Sequence, residues 1–130
     1  MIENYSVIIE PFAERHYIKN FGKKYHRAWD ITLKALISQF ERIDMLLQKD
    51  VVEIIVSSND VKIIKSEFSV AGTHQSPKGS GNRCILAVNE AHKKVYVLLV
   101  YHKNDLGHGN ETVEWKKIIK DNYLKYSNFF

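Results

Sequence analysis

Two cations stand at the outer ends of two neighbouring hydrophobic segments. Arg83 opens the segment RCILAV, and Lys103 follows VYVLLVYH after a short polar turn at residues 90–94. An antiparallel hairpin brings such ends together, and pairing about this turn sets Arg83 opposite Tyr101 and Asn89 opposite Val95. Arg83, Tyr101 and Lys103 then share one face, with the two cations about 7–8 Å apart. That spacing would allow both to contact one phosphate group.

Further residues could join or replace this pair. Lys78, in the Gly-rich loop before the first strand, and Lys65, in the preceding strand, could approach the same point. A register slip of one residue would place His102 opposite Arg83 instead, and a histidine side chain can serve as a general acid or base. His74 and His108 lie in predicted loops and are weaker candidates. The alternative interpretation is that these cations are solvated strand ends, where Lys and Arg discourage edge pairing.

Other site chemistries fit the sequence poorly. The single cysteine, Cys84, excludes an internal disulfide, and the six histidines show neither cysteine partners nor HExxH spacing. The loop GTHQSPKGSG lacks the Walker pattern and precedes a strand, which argues against a P-loop. We therefore expect no metal site and no cofactor.

A length of 130 residues indicates one domain over residues 1–130. Lys and Arg total 19 against 15 Asp and Glu, and the formal net charge of +4 is compatible with nucleic-acid binding. The first residues lack the pattern of a signal peptide, and no apolar run approaches the ~20 residues that span a bilayer. We expect a cytoplasmic protein without membrane contact.

Hydrophobic periodicity predicts the element order. Residues 5–10 read as a strand, residues 11–22 as a helix that begins at a proline, and residues 25–48 as a second helix. The second helix has an apolar stripe of Trp29, Leu33, Leu36, Phe40, Ile43 and Leu47. Residues 51–56 could be a strand or the end of that helix. A strand at 61–70, two central strands and a last helix capped by Asn110 or Thr112 follow.

This order predicts an α+β fold. Strands that follow a run of helices indicate a small antiparallel sheet, here of about four strands, with an N-terminal helical pair and a C-terminal helix packed on it.

The segment from SPKGSGNRCILAV to VYVLLVYHKND resembles the RelE/ParE superfamily of toxins from type II toxin–antitoxin modules, particularly its HigB-like branch. The matching positions are Lys78, Gly81, Arg83, Val100, Tyr101, Lys103 and Asp105. Two features depart from the family pattern. Asn82 replaces the usual aromatic residue before the arginine, and a long C-terminal helix replaces the short end that often carries a catalytic tyrosine.

The resemblance implies metal-independent cleavage of messenger RNA in the ribosomal A site. Arg83 would bind the phosphate bidentately, Lys103 and Lys65 would stabilise its charge, and a lysine or His102 would act as acid or base. Lys78 and Tyr101 would bind RNA. The implied partners are a cognate antitoxin, the ribosome and mRNA. The alternatives are a ParE-like toxin that binds DNA gyrase without enzymatic activity, or an inactive interaction module of the same fold.

Overall fold

The computed structural model describes residues 4–107 and 109–130, so His108 lies outside the described residues. The first half contains β1 Ser6–Ile9, α1 Pro11–Ala13, a π-helical segment Glu14–Ile18, α2 Lys19–Tyr25, α3 Arg27–Glu41 and α4 Ile43–Leu46. The second half contains β2 Val52–Ser57, β3 Lys62–Phe68, α5 Pro77–Ser80, β4 Asn82–Asn89, β5 Lys94–His102, a 3-10 turn Lys103–Asp105, α6 Glu111–Asn122 and a 3-10 segment Leu124–Phe129. None of the described helices has the length and apolar character needed to cross a bilayer.

The strands form one sheet in the order β1-β5-β4-β3-β2. Neighbouring strands are antiparallel except for β1, which runs parallel to β5. The predicted α+β fold is confirmed, but the sheet has five strands instead of about four and is mixed instead of antiparallel. Residues 52–57 form the edge strand β2, which settles the question that the sequence left open. The partner of β1 lies far along the chain, where a local pattern cannot specify it.

Each face of the sheet has its own hydrophobic core. On one face Trp29 and Phe40 of α3 belong to the same core as Cys84 of β4. On the other face Trp115 of α6 belongs to the core that contains Ile85 of β4. Residues 82–88 of β4 are consequently all buried. A strand covered on both sides is expected to be apolar on both sides, and residues 84–88 follow the sequence prediction in this respect.

The helix boundaries differ from the prediction in two places. The first helical stretch passes Gly22 and ends at Tyr25, because the break falls at His26, whose φ is 52°. α3 ends at Glu41, since Arg42 leaves helical geometry with φ −108° and ψ 48°. The predicted helix over 25–48 is therefore two helices. Its apolar stripe still faces the sheet, with four buried members, Trp29, Leu36, Phe40 and Ile43.

The β4–β5 hairpin contains a one-residue irregularity. Near the turn Asn89 pairs with Lys94, and not with Val95 as predicted, while at the open end Arg83 pairs with Tyr101 as predicted. The register shifts between Ile85 and Leu86, where Leu98 of β5 is the extra residue. This bulge sets the side-chain alternation at the open end of β5, and hence the face on which Tyr101 lies.

Gly81 joins α5 to β4 at a point of close approach. It adopts a left-handed conformation with φ 82°, and an added Cβ would lie 2.6 Å from Nε2 of His102. Its carbonyl accepts a 2.8 Å hydrogen bond from the backbone N–H of Lys103. Only glycine suits both the backbone angle and the space.

We expect Gly81→Ala to lower the free energy of unfolding by about 2–4 kcal/mol, because backbone strain and a steric clash act together. Gly72→Ala is the matched control. Gly72 has φ 81° but nothing within 4 Å of the added Cβ. The Gly72→Ala variant should therefore lose only about 1–2 kcal/mol of its free energy of unfolding. Urea unfolding of both variants measures the difference. Equal losses would contradict the close packing of the His102 ring.

Candidate functional site

Three polar side chains form a row across the sheet face that α6 covers. In β3, β4 and β5 the register aligns Glu67 with Arg83 and Arg83 with Tyr101. Lys65 pairs with Ile85, whose side chain lies in the core of that face. Side chains two residues apart on a strand share a face, so Lys65 lies beside the row, diagonal to Arg83. We call Glu67, Arg83 and Tyr101 the arginine row.

The first turn of α6 closes over this row. Asn110 caps the helix, with its side-chain oxygen accepting from the N–H groups of Thr112 at 2.8 Å and Val113 at 3.3 Å. The cap places Glu111 at the start of the helix. The hydroxyl of Tyr101 donates to Oε2 of Glu111 at 2.7 Å, and Nε of Arg83 lies 3.5 Å from the same oxygen. One carboxylate thus faces two members of the row.

Arg83 is buried, with 9% of its surface exposed. For Arg83, the alternative interpretation as a solvated cation at a strand end is therefore wrong, because α6 and Glu111 cover this residue. Its Nη1 donates to the carbonyl of Asn82 at 3.3 Å, while its Nε makes an ionic contact with Glu111 but no hydrogen bond to any described residue. A buried guanidinium that keeps an unused donor has capacity for another acceptor.

Glu67 is the residue of the row that sequence reasoning missed. Its Oε2 is buried and has no hydrogen-bond partner among the described residues. Leaving such an acceptor unsatisfied costs about 1–3 kcal/mol. A ligand that donates a hydrogen bond to this oxygen would recover that free energy. The sequence did hold a signal, since Glu67 follows Lys65 by two positions in one strand and so shares its face.

Tyr101 acts in this geometry as a hydrogen-bond donor. Burial is the main cause that raises its pKa, and the hydrogen bond and negative charge of Glu111 raise it further. The phenol therefore keeps its proton across the physiological range. This excludes a role as general base at neutral pH and suits a role in holding an anion.

Lys103 lies outside the strand to which the sequence assigned it. β5 ends at His102, and Lys103 begins the exposed 3-10 turn that follows. The predicted shared face with Tyr101 therefore does not follow from strand alternation. Lys78 lies in α5 and forms a 3.3 Å ion pair with Asp50.

His102 lies on the other face of the sheet. It pairs with Asn82, which excludes the register that would have set it opposite Arg83. Its Nε2 is 3.1 Å from the carbonyl of Ser80, and its Nδ1 accepts from the N–H of Asn104 at 3.1 Å. A carbonyl only accepts, so this arrangement corresponds to a neutral ring protonated at Nε2. Both nitrogens are engaged in holding the strand end.

The described residues contain no group of three or more His, Cys, Asp or Glu side chains that could hold a metal ion. Cys84 is fully buried, and burial raises the pKa of its thiol. A buried neutral thiol is a poor nucleophile. The polar chemistry of this face therefore rests on carboxylate, guanidinium, ammonium and phenol groups.

We expect Tyr101→Phe to lower the free energy of unfolding by about 1.5–3 kcal/mol, because it removes a partly buried hydrogen bond to a charged group. A cycle with Glu111→Gln should show coupling of about 1 kcal/mol between the two positions. Tyr25→Phe is the control, since no hydrogen bond of its hydroxyl is found among the described residues. Additive losses in urea unfolding would contradict the Tyr101–Glu111 contact.

Comparisons with known proteins identify the fold. No family model matches the chain, and no curated protein matches it. Among solved structures, it is similar to a chain of the archaeal RelE–RelB complex from Pyrococcus horikoshii OT3, with a TM-score of 0.56 and 15% sequence identity. The similarity covers 78% of this chain and 98% of that chain. The protein described here therefore has a RelE-like α+β fold.

Proposed function

We propose that this protein is the toxin of a type II toxin–antitoxin module, of the HigB-like branch, and that it cleaves messenger RNA on the ribosome. The observation that carries the proposal is the arginine row with Lys65 beside it, on the sheet of a RelE-like fold. A fold alone does not specify a function. The row supports the proposal because it brings together a guanidinium and a carboxylate, group types suited to binding phosphate and to transferring protons.

The proposed reaction is an internal transfer at a phosphodiester. The ribose 2′-hydroxyl loses its proton and attacks the adjacent phosphorus, the bond to the 5′ oxygen breaks, and that oxygen takes up a proton. The products are a 2′,3′-cyclic phosphate and a 5′-hydroxyl. The reaction needs a base, an acid and donors to the phosphate oxygens, and it needs no metal.

The residues of the row fit these roles by chemical type. Arg83 would bind the non-bridging phosphate oxygens, since a guanidinium offers paired donors to an oxyanion. Glu67 would accept the proton of the 2′-hydroxyl, and Lys65 would donate to the leaving oxygen. Lys103 would add positive charge from the exposed turn. The acid–base role predicted for His102 would require its ring to leave its present backbone contacts.

The remaining binding roles follow the sequence prediction. Lys78 would contact ribosomal or messenger RNA as a solvent-exposed cation, and Tyr101 would hold the phosphate region through its hydroxyl.

The solved structure to which this chain is similar is a complex of RelE with RelB. By analogy, we propose a cognate antitoxin as the partner of this chain, bound over the helical layer of α2 and α3 or over the arginine row.

A second function is favoured by one observation. Glu111 covers and neutralises Arg83, which suits a toxin that poisons its target by binding and not by cleavage. We therefore keep a ParE-like gyrase-binding toxin, or an inactive interaction module, as the alternative.

Induced expression in bacteria tests the proposal. We expect arrested translation and ribosome-bound messages with new 5′-hydroxyl ends, because cleavage leaves that group. Induction of the DNA-damage response with intact messages would support gyrase binding instead. The absence of both responses would support the inactive module.

Substitutions test the site. Lys65→Ala should lower the cleavage rate by about 10²–10³-fold, the usual loss on removing one charge-stabilising donor, and Lys103→Ala should lower it less. Lys34→Ala is the control, since Lys34 is exposed on α3 on the other side of the sheet. Because Arg83 is buried, the variant to test at this position is Arg83→Met, which preserves side-chain volume better than alanine would. Normal cleavage by the folded Arg83→Met variant would refute the proposed site.

A further inference from the structure

Glu111 occupies the position that an anionic substrate would need. Its Oε2 accepts from the Tyr101 hydroxyl and lies 3.5 Å from Nε of Arg83. A phosphate oxygen offers the same kind of acceptor with the same sign of charge. Arg83 beneath it is buried, with 9% of the residue exposed, and its Nε is a buried donor without a hydrogen bond to any described residue. The geometry is that of an anion site filled by a carboxylate of the same chain.

We propose that Glu111 is an internal competitor for phosphate, which occupies the anion site of Arg83 and Tyr101 and leaves it when a phosphodiester binds. The inference rests on the proposed function for the identity of the substrate, but the anion site itself does not. Glu111 then restrains phosphate binding in the free protein. A ligand enters only if its own contacts exceed those of the carboxylate.

Packing decides which part of the molecule must move. Trp115 and Ile119 of α6 are fully buried, and each would expose a large apolar side chain if the helix lifted. Tyr123, at the end of the helix, donates to the carbonyl of Leu98 at 2.7 Å. Burial of each large side chain stabilises the docked helix by about 1.5–3 kcal/mol. Lifting the helix therefore costs far more than rotating one side chain.

The first turn of α6 permits that rotation. The Glu111 side chain is 24% exposed, and Val113 in the same turn is 61% exposed. The carboxylate can swing toward solvent about its own side-chain torsions while α6 stays in place. Asn110 would keep the helix capped, because its contacts are to backbone N–H groups and not to Glu111.

The test compares two variants of the same chemical type. Glu111→Gln removes the competing charge, so its affinity for inorganic phosphate should rise about tenfold, as expected for the loss of one charged hydrogen-bond acceptor at this site. Glu114→Gln is the matched control, because Glu114 lies in the same first turn but approaches Gly109. It should leave the affinity unchanged. Calorimetric titration measures both, at fixed low ionic strength.

A measurement on the unaltered protein removes dependence on the variants. In NMR titrations with inorganic phosphate, the Nε–H signal of Arg83 should shift, while the indole N–H of Trp115 keeps its protection from hydrogen exchange. Loss of that protection would show that α6 lifts and would overturn the side-chain mechanism. No shift at Arg83 at saturating phosphate would overturn the anion site.

The outcomes for the two proposals are separate. Unchanged phosphate affinity in Glu111→Gln, or an equal rise in Glu114→Gln, overturns the competitor role whether or not the protein cleaves RNA. A tenfold rise without any RNA cleavage supports the competitor role and counts against the ribonuclease. Titration with a 2′-O-methyl dinucleotide, which binds as a phosphodiester but cannot be cleaved, should repeat the rise seen with inorganic phosphate.

Discussion

The structure depends on the pairing of β4 with β5. β4 is the middle strand of the sheet and is buried by cores on both faces, so neither core forms without it. The bulge at Leu98 then determines which side chains of the open end face α6. A shift of one residue there would turn Tyr101 toward α3 and remove the donor that holds Glu111. Packing and site geometry thus share one register.

Apolar spacing carried much of the fold information. The stripe from Trp29 to Ile43, the apolar run 84–88 of β4 and the pairing of Arg83 with Tyr101 could all be predicted, because each reflects a local period or a short hairpin. The parallel pairing of β1 with β5 could not, since it joins segments far apart in the chain. The helix break at His26 depends on one residue with positive φ that no glycine marks.

The candidate site was harder to predict for a physical reason. The sequence locates Arg83 at a strand end, but its burial depends on where α6 docks, and docking is a tertiary contact. Glu111 could have been recognised only as a helix-start carboxylate after the Asn110 cap. Lys103 was misplaced because a strand and a following 3-10 turn look alike in sequence. Alternation along β3 did contain Glu67, yet its importance depends on the strand beside it.

Charge balance explains why α6 and the arginine row belong together. A buried guanidinium without a counterion would strongly disfavour the folded state, since uncompensated charge is costly in the interior. Glu111 supplies a negative charge from the helix that also completes the second core. The same residue therefore links fold stability to the electrostatics of the site.

The parallel pairing of β1 with β5 has a consequence for how the chain folds. Ser6 pairs with Lys94, so the first strand stays without its partner until β5 has been synthesised. Contacts of such long sequence separation slow folding and delay the native state. The helices of the first half can form early, but the sheet that carries the arginine row cannot be completed then. During synthesis, the arginine row therefore reaches its final sheet environment only after most of the chain exists.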